Sequence, residues 1–137
     1  MRAQNRSTVL ARRMALAVML ALCFAAQTLP AVAAPPAVEL TIDFGDGAQL
    51  RFKALDYRPG MTVLDALAVA QKHPRGVKYA HRGRGASAIV TELGGLKNEG
   101  RGRNWLYAVN GKSADESAGS YQLKPGDAIL WEFKAND

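Results

Sequence analysis

Residues 38–72 read VELTIDFGDGAQLRFKALDYRPGMTVLDALAVAQK. Val38, Leu40, Ile42 and Phe44 alternate with Glu39, Thr41 and Asp43. One face of an extended chain is then apolar and the other polar, the pattern of a half-buried strand. Gly45-Asp46-Gly47 offers the positive-φ positions of a tight reversal, and Leu50 and Phe52 resume the alternation through Leu55, so the two runs predict a hairpin. The period then changes. After a turn at 57–60, Leu64, Leu67, Ala68 and Gln71 share one helical stripe, with Val63, Ala66 and Ala70 beside it. Thr62 and Asp65 form an N-cap pair, Pro74 and Gly76 stop the helix near Lys72, and its apolar face is expected to lie on the sheet.

Downstream, 77–80 and 88–93 predict short strands separated by the loop His81-Arg82-Gly83-Arg84-Gly85. Gly94-Gly95 marks a reversal, and a polar loop runs over 97–104. Trp105, Tyr107 and Val109 then alternate with Leu106 and Ala108 ahead of Asn110-Gly111, a strong two-residue hairpin signal. A short strand at 121–123 precedes Lys124-Pro125-Gly126-Asp127, which fits a type II turn with proline second and glycine third. The last strand, 128–133, places Ile129, Trp131 and Phe133 on one face. A hairpin, one helix and then several strands, without internal repeat, define an α+β domain: a β-grasp-like mixed sheet with one helix packed on it.

The N-terminus carries Arg2, Arg6, Arg12 and Arg13, an apolar run over 14–26, and then small residues and prolines. That order predicts a cleaved signal peptide over residues 1–33, with Ala31 and Ala33 as the small residues before the cut, a linker at 34–37, the domain at 38–134 and a tail at 135–137. The apolar run falls short of the roughly 20 residues a bilayer core needs, so no stable membrane anchor is expected in the mature chain. The lone cysteine, Cys23, follows Leu22 rather than a small residue, which argues against lipid attachment. Arg12-Arg13 leaves twin-arginine export open beside the Sec route, which the flanking Ala11 and Met14 favour. The expected location is periplasmic or secreted.

Removal of residues 1–33 takes away four of the 18 basic residues and none of the 12 acidic ones, leaving 14 against 12, a net charge of +2. That balance argues against a nucleic-acid partner. With no cysteine left, stability must come from an ordinary hydrophobic core.

Convergent catalytic groups are scarce. His73 and His81 fall on separate loops, no two-histidine ligand spacing occurs, and none of Ser87, Ser113, Ser117 and Ser120 sits in a Gly-x-Ser-x-Gly elbow. The chain reads as a non-enzyme without cofactor or metal. Arg82 and Arg84 in one glycine loop, and Arg101 and Arg103 in the other, are either solvated or turned toward an anion. Tyr79, Asn104, Trp105 and Tyr107 complete the candidate ligand-binding set: a flat ligand would stack on the aromatics while its charged tail met an arginine, unless Trp105 is simply a core residue.

The ordered series Phe44-Gly45-Asp46-Gly47, Gly60-Met61-Thr62-Val63-Leu64-Asp65-Ala66-Leu67, Asn98-Glu99-Gly100, Asn104-Trp105, Val109-Asn110-Gly111-Lys112 and Leu123-Lys124-Pro125-Gly126-Asp127 resembles a bacterial family of unassigned function. Its members are similar to the transcobalamin C-terminal domain. The resemblance covers about residues 38–134 and implies the small β domain of the cobalamin carriers, in which a separate α/α barrel closes on cobalamin from the opposite side. Trp105 matches the aromatic that opens the family's penultimate strand, and Gly119, Tyr121, Gly126 and Ile129 match the framework that follows. Two functions follow as expectations. The first is an exported module that binds cobalamin, a related corrinoid or another partly apolar small molecule, as a half-site completed by a partner carrying an α/α barrel or by an outer-membrane transporter. The second is a cell-envelope interaction module that offers an edge strand to a protein partner.

Overall fold

The two alternating runs form β1 (Ala37–Asp43) and β2 (Gln49–Asp56), and helix α1 (Val63–Gln71) follows. Six further strands complete the chain: β3 (Tyr79–Arg82), β4 (Ile89–Leu93), β5 (Leu96–Lys97), β6 (Arg103–Val109), β7 (Lys112–Ser113) and β8 (Ala128–Ala135). The structure, a computed structural model, describes residues 28–136, and the chain divides into two units, Met1–Ala33 and Ala34–Asp137. Of the expected signal segment, residues 1–27 lie outside the described residues, and 28–33 have no regular secondary structure.

Five strands form one sheet in the order β2-β1-β8-β6-β7, and β3, β4 and β5 form a second. β1 pairs antiparallel with β2, with Leu40 opposite Phe52 and Ile42 opposite Leu50, which puts the period-two apolar sets of both strands on one face. β1 also pairs with β8, in parallel. Parallel neighbours cannot be closed by a hairpin. The crossover here is everything between them, the helix included, and a parallel first and last strand at the sheet's centre is the β-grasp arrangement expected from the sequence.

Helix α1 is held at its start by a reciprocal cap. Thr62 Oγ1 accepts from the Asp65 N–H at 3.2 Å, and Asp65 accepts from the Thr62 N–H at 2.9 Å. Val63, Ala66, Leu67 and Ala70 are fully buried and join Leu40, Ile42, Ile129, Trp131 and Phe133 in one core. The second sheet adds Val90 and Leu93 to that core, and Gly94, at φ +59°, lies so close to the Phe44 ring that a side chain there would collide with it. The β6–β7 turn uses positive φ at both Asn110 (+53°) and Gly111 (+78°), as a two-residue hairpin requires.

Three expectations needed revision. The strand expected at 77–80 stands at Tyr79–Arg82, because its register follows pairing with β4, Tyr79 opposite Leu93, while Val77 is consumed by the core. His81 and Arg82 are therefore strand residues. Residues 121–123 form no strand but a single bridge, Thr62 to Gln122, because the backbone they meet is the helix cap. The expected polar loop over 97–104 is shorter at both ends: Lys97 pairs with β4 as part of Leu96–Lys97, and β6 begins at Arg103.

Candidate ligand-binding site

β6 and β8 place Trp105 opposite Phe133 and Tyr107 opposite Trp131. Trp105 is 5% exposed, so it is a core residue. Its ring meets Phe44 edge-on at 5.9 Å and Phe133 at 5.1 Å, and its Nε1–H donates to the Leu96 carbonyl at 2.8 Å. Asn104 is also buried and serves its own loop: Oδ1 accepts from the Gly100 N–H and Nδ2 donates to the Gly100 carbonyl, both at 2.9 Å. Tyr107 is half-buried against Trp131 (5.1 Å) and Tyr121 (6.1 Å), and its hydroxyl donates to the Glu116 carbonyl at 2.6 Å. Burial, reinforced by Glu116, Tyr121 and Asp115, pushes the Tyr107 phenol well above its ordinary range. Tyr79 stands apart on β3, stacked on His81 at 6.1 Å, its phenol raised by burial and by Asp65.

The arginines do not join these aromatics in one pocket. Arg103 lies over the Phe133 ring at 4.8 Å and approaches Glu99 at 3.6 Å. Arg101 is exposed in the same loop. Arg82 ends β3, and Arg84 precedes a short 3₁₀ turn (Gly85–Ser87) in which Ser87 Oγ donates to the Arg84 carbonyl at 2.9 Å. Both Arg82 and Arg84 are exposed, and among the described residues no hydrogen bond or ion pair links the two loops.

The structure instead shows a cleft of about 470 Å³ between the two sheets. One wall is Ala88, Ile89 and Val90, the other is β6 from Trp105 to Ala108, and Glu116–Ala118 and the β8 residues Trp131, Glu132 and Lys134 complete it. Ser117 Oγ secures the rim by donating to the Ala88 carbonyl at 2.6 Å. Of the expected site residues, Trp105 and Tyr107 line this cleft, whereas Tyr79, Asn104, Arg82, Arg84, Arg101 and Arg103 do not. Ile89 is the most exposed large apolar side chain of the wall residues that sequence reading passed over, which include Val90, Leu106, Glu116 and Trp131. Its side chain is 53% exposed between the inward Ala88 and Val90, an out-of-phase large apolar residue that the strand alternation does reveal.

The cleft's charge is mixed and weakly acidic. Glu116 and Glu132 line it together with Lys134, whose ammonium stands 3.9 Å from the Glu132 carboxylate. Among the described residues there is no group of three or more His, Cys, Asp or Glu side chains placed to hold a metal ion.

A β-grasp sheet with a second small sheet, and a cleft where the two meet, defines a small α+β domain. The chain belongs to the family described as domain of unknown function (DUF4430), whose model matches residues 60–135. No curated protein sequence matches it. Among solved structures it is similar to haptocorrin in complex with Cbi, at 18% identity and a TM-score of 0.61, over 75% of this chain and 26% of haptocorrin. It is also similar to a protein from Ruminococcus gnavus proposed to be metal binding, at 13% identity and a TM-score of 0.59, over 74% of this chain and 99% of that one. At these identities the likeness shows the fold, and it bears out the similarity to the transcobalamin C-terminal domain read from the motifs. The chain corresponds to about a quarter of haptocorrin's length.

Proposed function

We propose that this protein is an exported, non-enzymatic ligand-binding module that holds one edge of a corrinoid, cobalamin or cobinamide, in the cleft between its sheets. The observation that carries the proposal is the cleft itself, in a domain of haptocorrin's fold. Its volume lies within the roughly 300–1,000 Å³ of small-molecule sites, and its walls combine Ile89, Val90, Tyr107 and Trp131 with a few polar groups. Fold likeness alone carries function weakly, so the ligand assignment stands on the two together. A corrinoid is larger than the cleft, so most of its surface stays outside, and a partner must cover the rest: a chain with an α/α barrel, or an outer-membrane transporter that receives the ligand.

Trp105 and Trp131 both line the cleft, so a bound corrinoid, which absorbs across the indole emission band, quenches them. Titration with cobinamide is expected to give saturable quenching. Ile89→Glu, a change at an exposed position that alters stability by no more than about 0.5 kcal/mol, is expected to weaken binding at least tenfold. Unquenched emission from folded protein at high micromolar cobinamide would sink the corrinoid assignment. Export is tested separately: N-terminal sequencing of protein recovered from the cell envelope is expected to begin at Ala34, and recovery of Met1 as the first residue would contradict it.

A further inference from the structure

The outer edge of β6 is open over one residue only. Along this strand the even-numbered residues turn toward β8 and the odd-numbered ones turn away, as shown by the outward bonds they make. The Arg103 carbonyl accepts from the Glu99 N–H at 2.9 Å, the Trp105 N–H donates to Asn98 Oδ1 at 2.9 Å, and the Tyr107 carbonyl accepts from the Ala114 N–H at 3.1 Å. Between those closures stand the Trp105 carbonyl and the Tyr107 N–H, which point outward and have no hydrogen-bond partner among the described residues. Both residues line the cleft. The Trp131 Nε1–H also lacks a partner among the described residues, but it is buried in the core and offers a ligand no exposed surface. A strand edge that leaves one acceptor and one donor unpaired gives a ligand two hydrogen bonds without displacing any that the protein makes.

We propose that this stretch is an amide-recognition subsite, in which the Trp105 carbonyl accepts from, and the Tyr107 N–H donates to, neutral carboxamide groups of the ligand. The inference rests on the reading of the cleft as the ligand site and names the chemistry by which it selects. One donor and one acceptor are left unpaired at this edge. A carboxamide answers both kinds: its oxygen takes one or two donors, and its N–H satisfies the carbonyl. A carboxylate offers acceptors alone and would leave the Trp105 carbonyl unpaired, and it would also meet Glu116 and Glu132, the only cation of the lining, Lys134, being already beside Glu132. An ammonium group offers donors alone. Strand addition by a protein partner at this gap is excluded by length, since Asn98 and Ala114 occupy the edge on either side of it. The peripheral carboxamides of a corrinoid are the source this subsite would read.

The test uses the ¹⁵N-labelled protein with benzamide and its near-isostere benzoate, followed by heteronuclear NMR. Benzamide at millimolar concentration is expected to move the Tyr107 amide proton downfield and slow its exchange at least threefold, and to do so well beyond any effect of benzoate. Equal effects of the two probes, or a Tyr107 amide indifferent to both, would overturn the subsite. The cobinamide titration separates this from the larger reading. Cobinamide binding that leaves the Tyr107 amide unmoved removes the subsite and keeps the corrinoid site. Benzamide seated at Tyr107 in a protein that ignores cobinamide keeps the subsite and removes the corrinoid.

Discussion

Tyr107 joins the fold to the cleft, and its chemistry is testable through pH. Its phenol is held above the ordinary value first by burial and then by the acidic groups around it. An acid whose folded pKa is raised favours the protonated form, so its contribution to stability is complete below the ordinary phenol pKa of about 10 and is lost as pH rises beyond it. Denaturant midpoints are therefore expected to fall steeply above about pH 10. Tyr107→Phe is expected to flatten part of that fall, the remainder belonging to Tyr79, whose phenol is also raised. At neutral pH it costs about 1 kcal/mol for the bond to the Glu116 carbonyl. A midpoint that is level to pH 11, or equally steep in the variant, would contradict the burial assigned to Tyr107. The alternation of Trp105, Tyr107 and Val109 was legible in the sequence, but the roles were not. Trp105 became core because the Leu96 carbonyl takes its indole N–H, and the position of that carbonyl depends on how β5 runs.

Among the elements, those coded by local chemistry were the ones legible in advance: the β1–β2 hairpin, the capped helix, the Asn110-Gly111 turn and the Lys124–Asp127 turn. In the last, Asp127 accepts from the Lys124 N–H at 2.8 Å and from Asn110 Nδ2 at 2.9 Å, so one carboxylate ties that turn to the β6–β7 hairpin. The cap is worth testing because helix α1 has only nine residues and few bonds to spare. Thr62→Ala removes the side-chain acceptor for Asp65 and is expected to cost about 1 kcal/mol in urea unfolding, with the m-value unchanged. No measurable loss would mean that packing against the sheet fixes the helix without its cap. The two-residue strand β5 and the register of β3 escaped the reading, since nothing in Leu96–Lys97 is periodic and its extension is imposed by the strand it pairs with.

At the level of the whole molecule, only a small part of the candidate site was visible in the sequence. Trp105 and Tyr107 stand at it. The arginine loops were grouped with them by sequence proximity, but strand direction carries those loops elsewhere: Arg103 lies over Phe133, and Arg84 stands beside the 3₁₀ turn. The cleft forms where the segments covering the β6 edge part, Asn98 on one side and Ala114 on the other, so that Trp105–Ala108 faces Ala88–Val90, an arrangement that depends on the docking of two sheets. The most direct test of the central claim is calorimetric titration of the protein with cobinamide. One site per chain with micromolar affinity, weakened at least tenfold by Ile89→Glu, is the expected result; a folded protein that releases no heat at high micromolar cobinamide would contradict the corrinoid half-site.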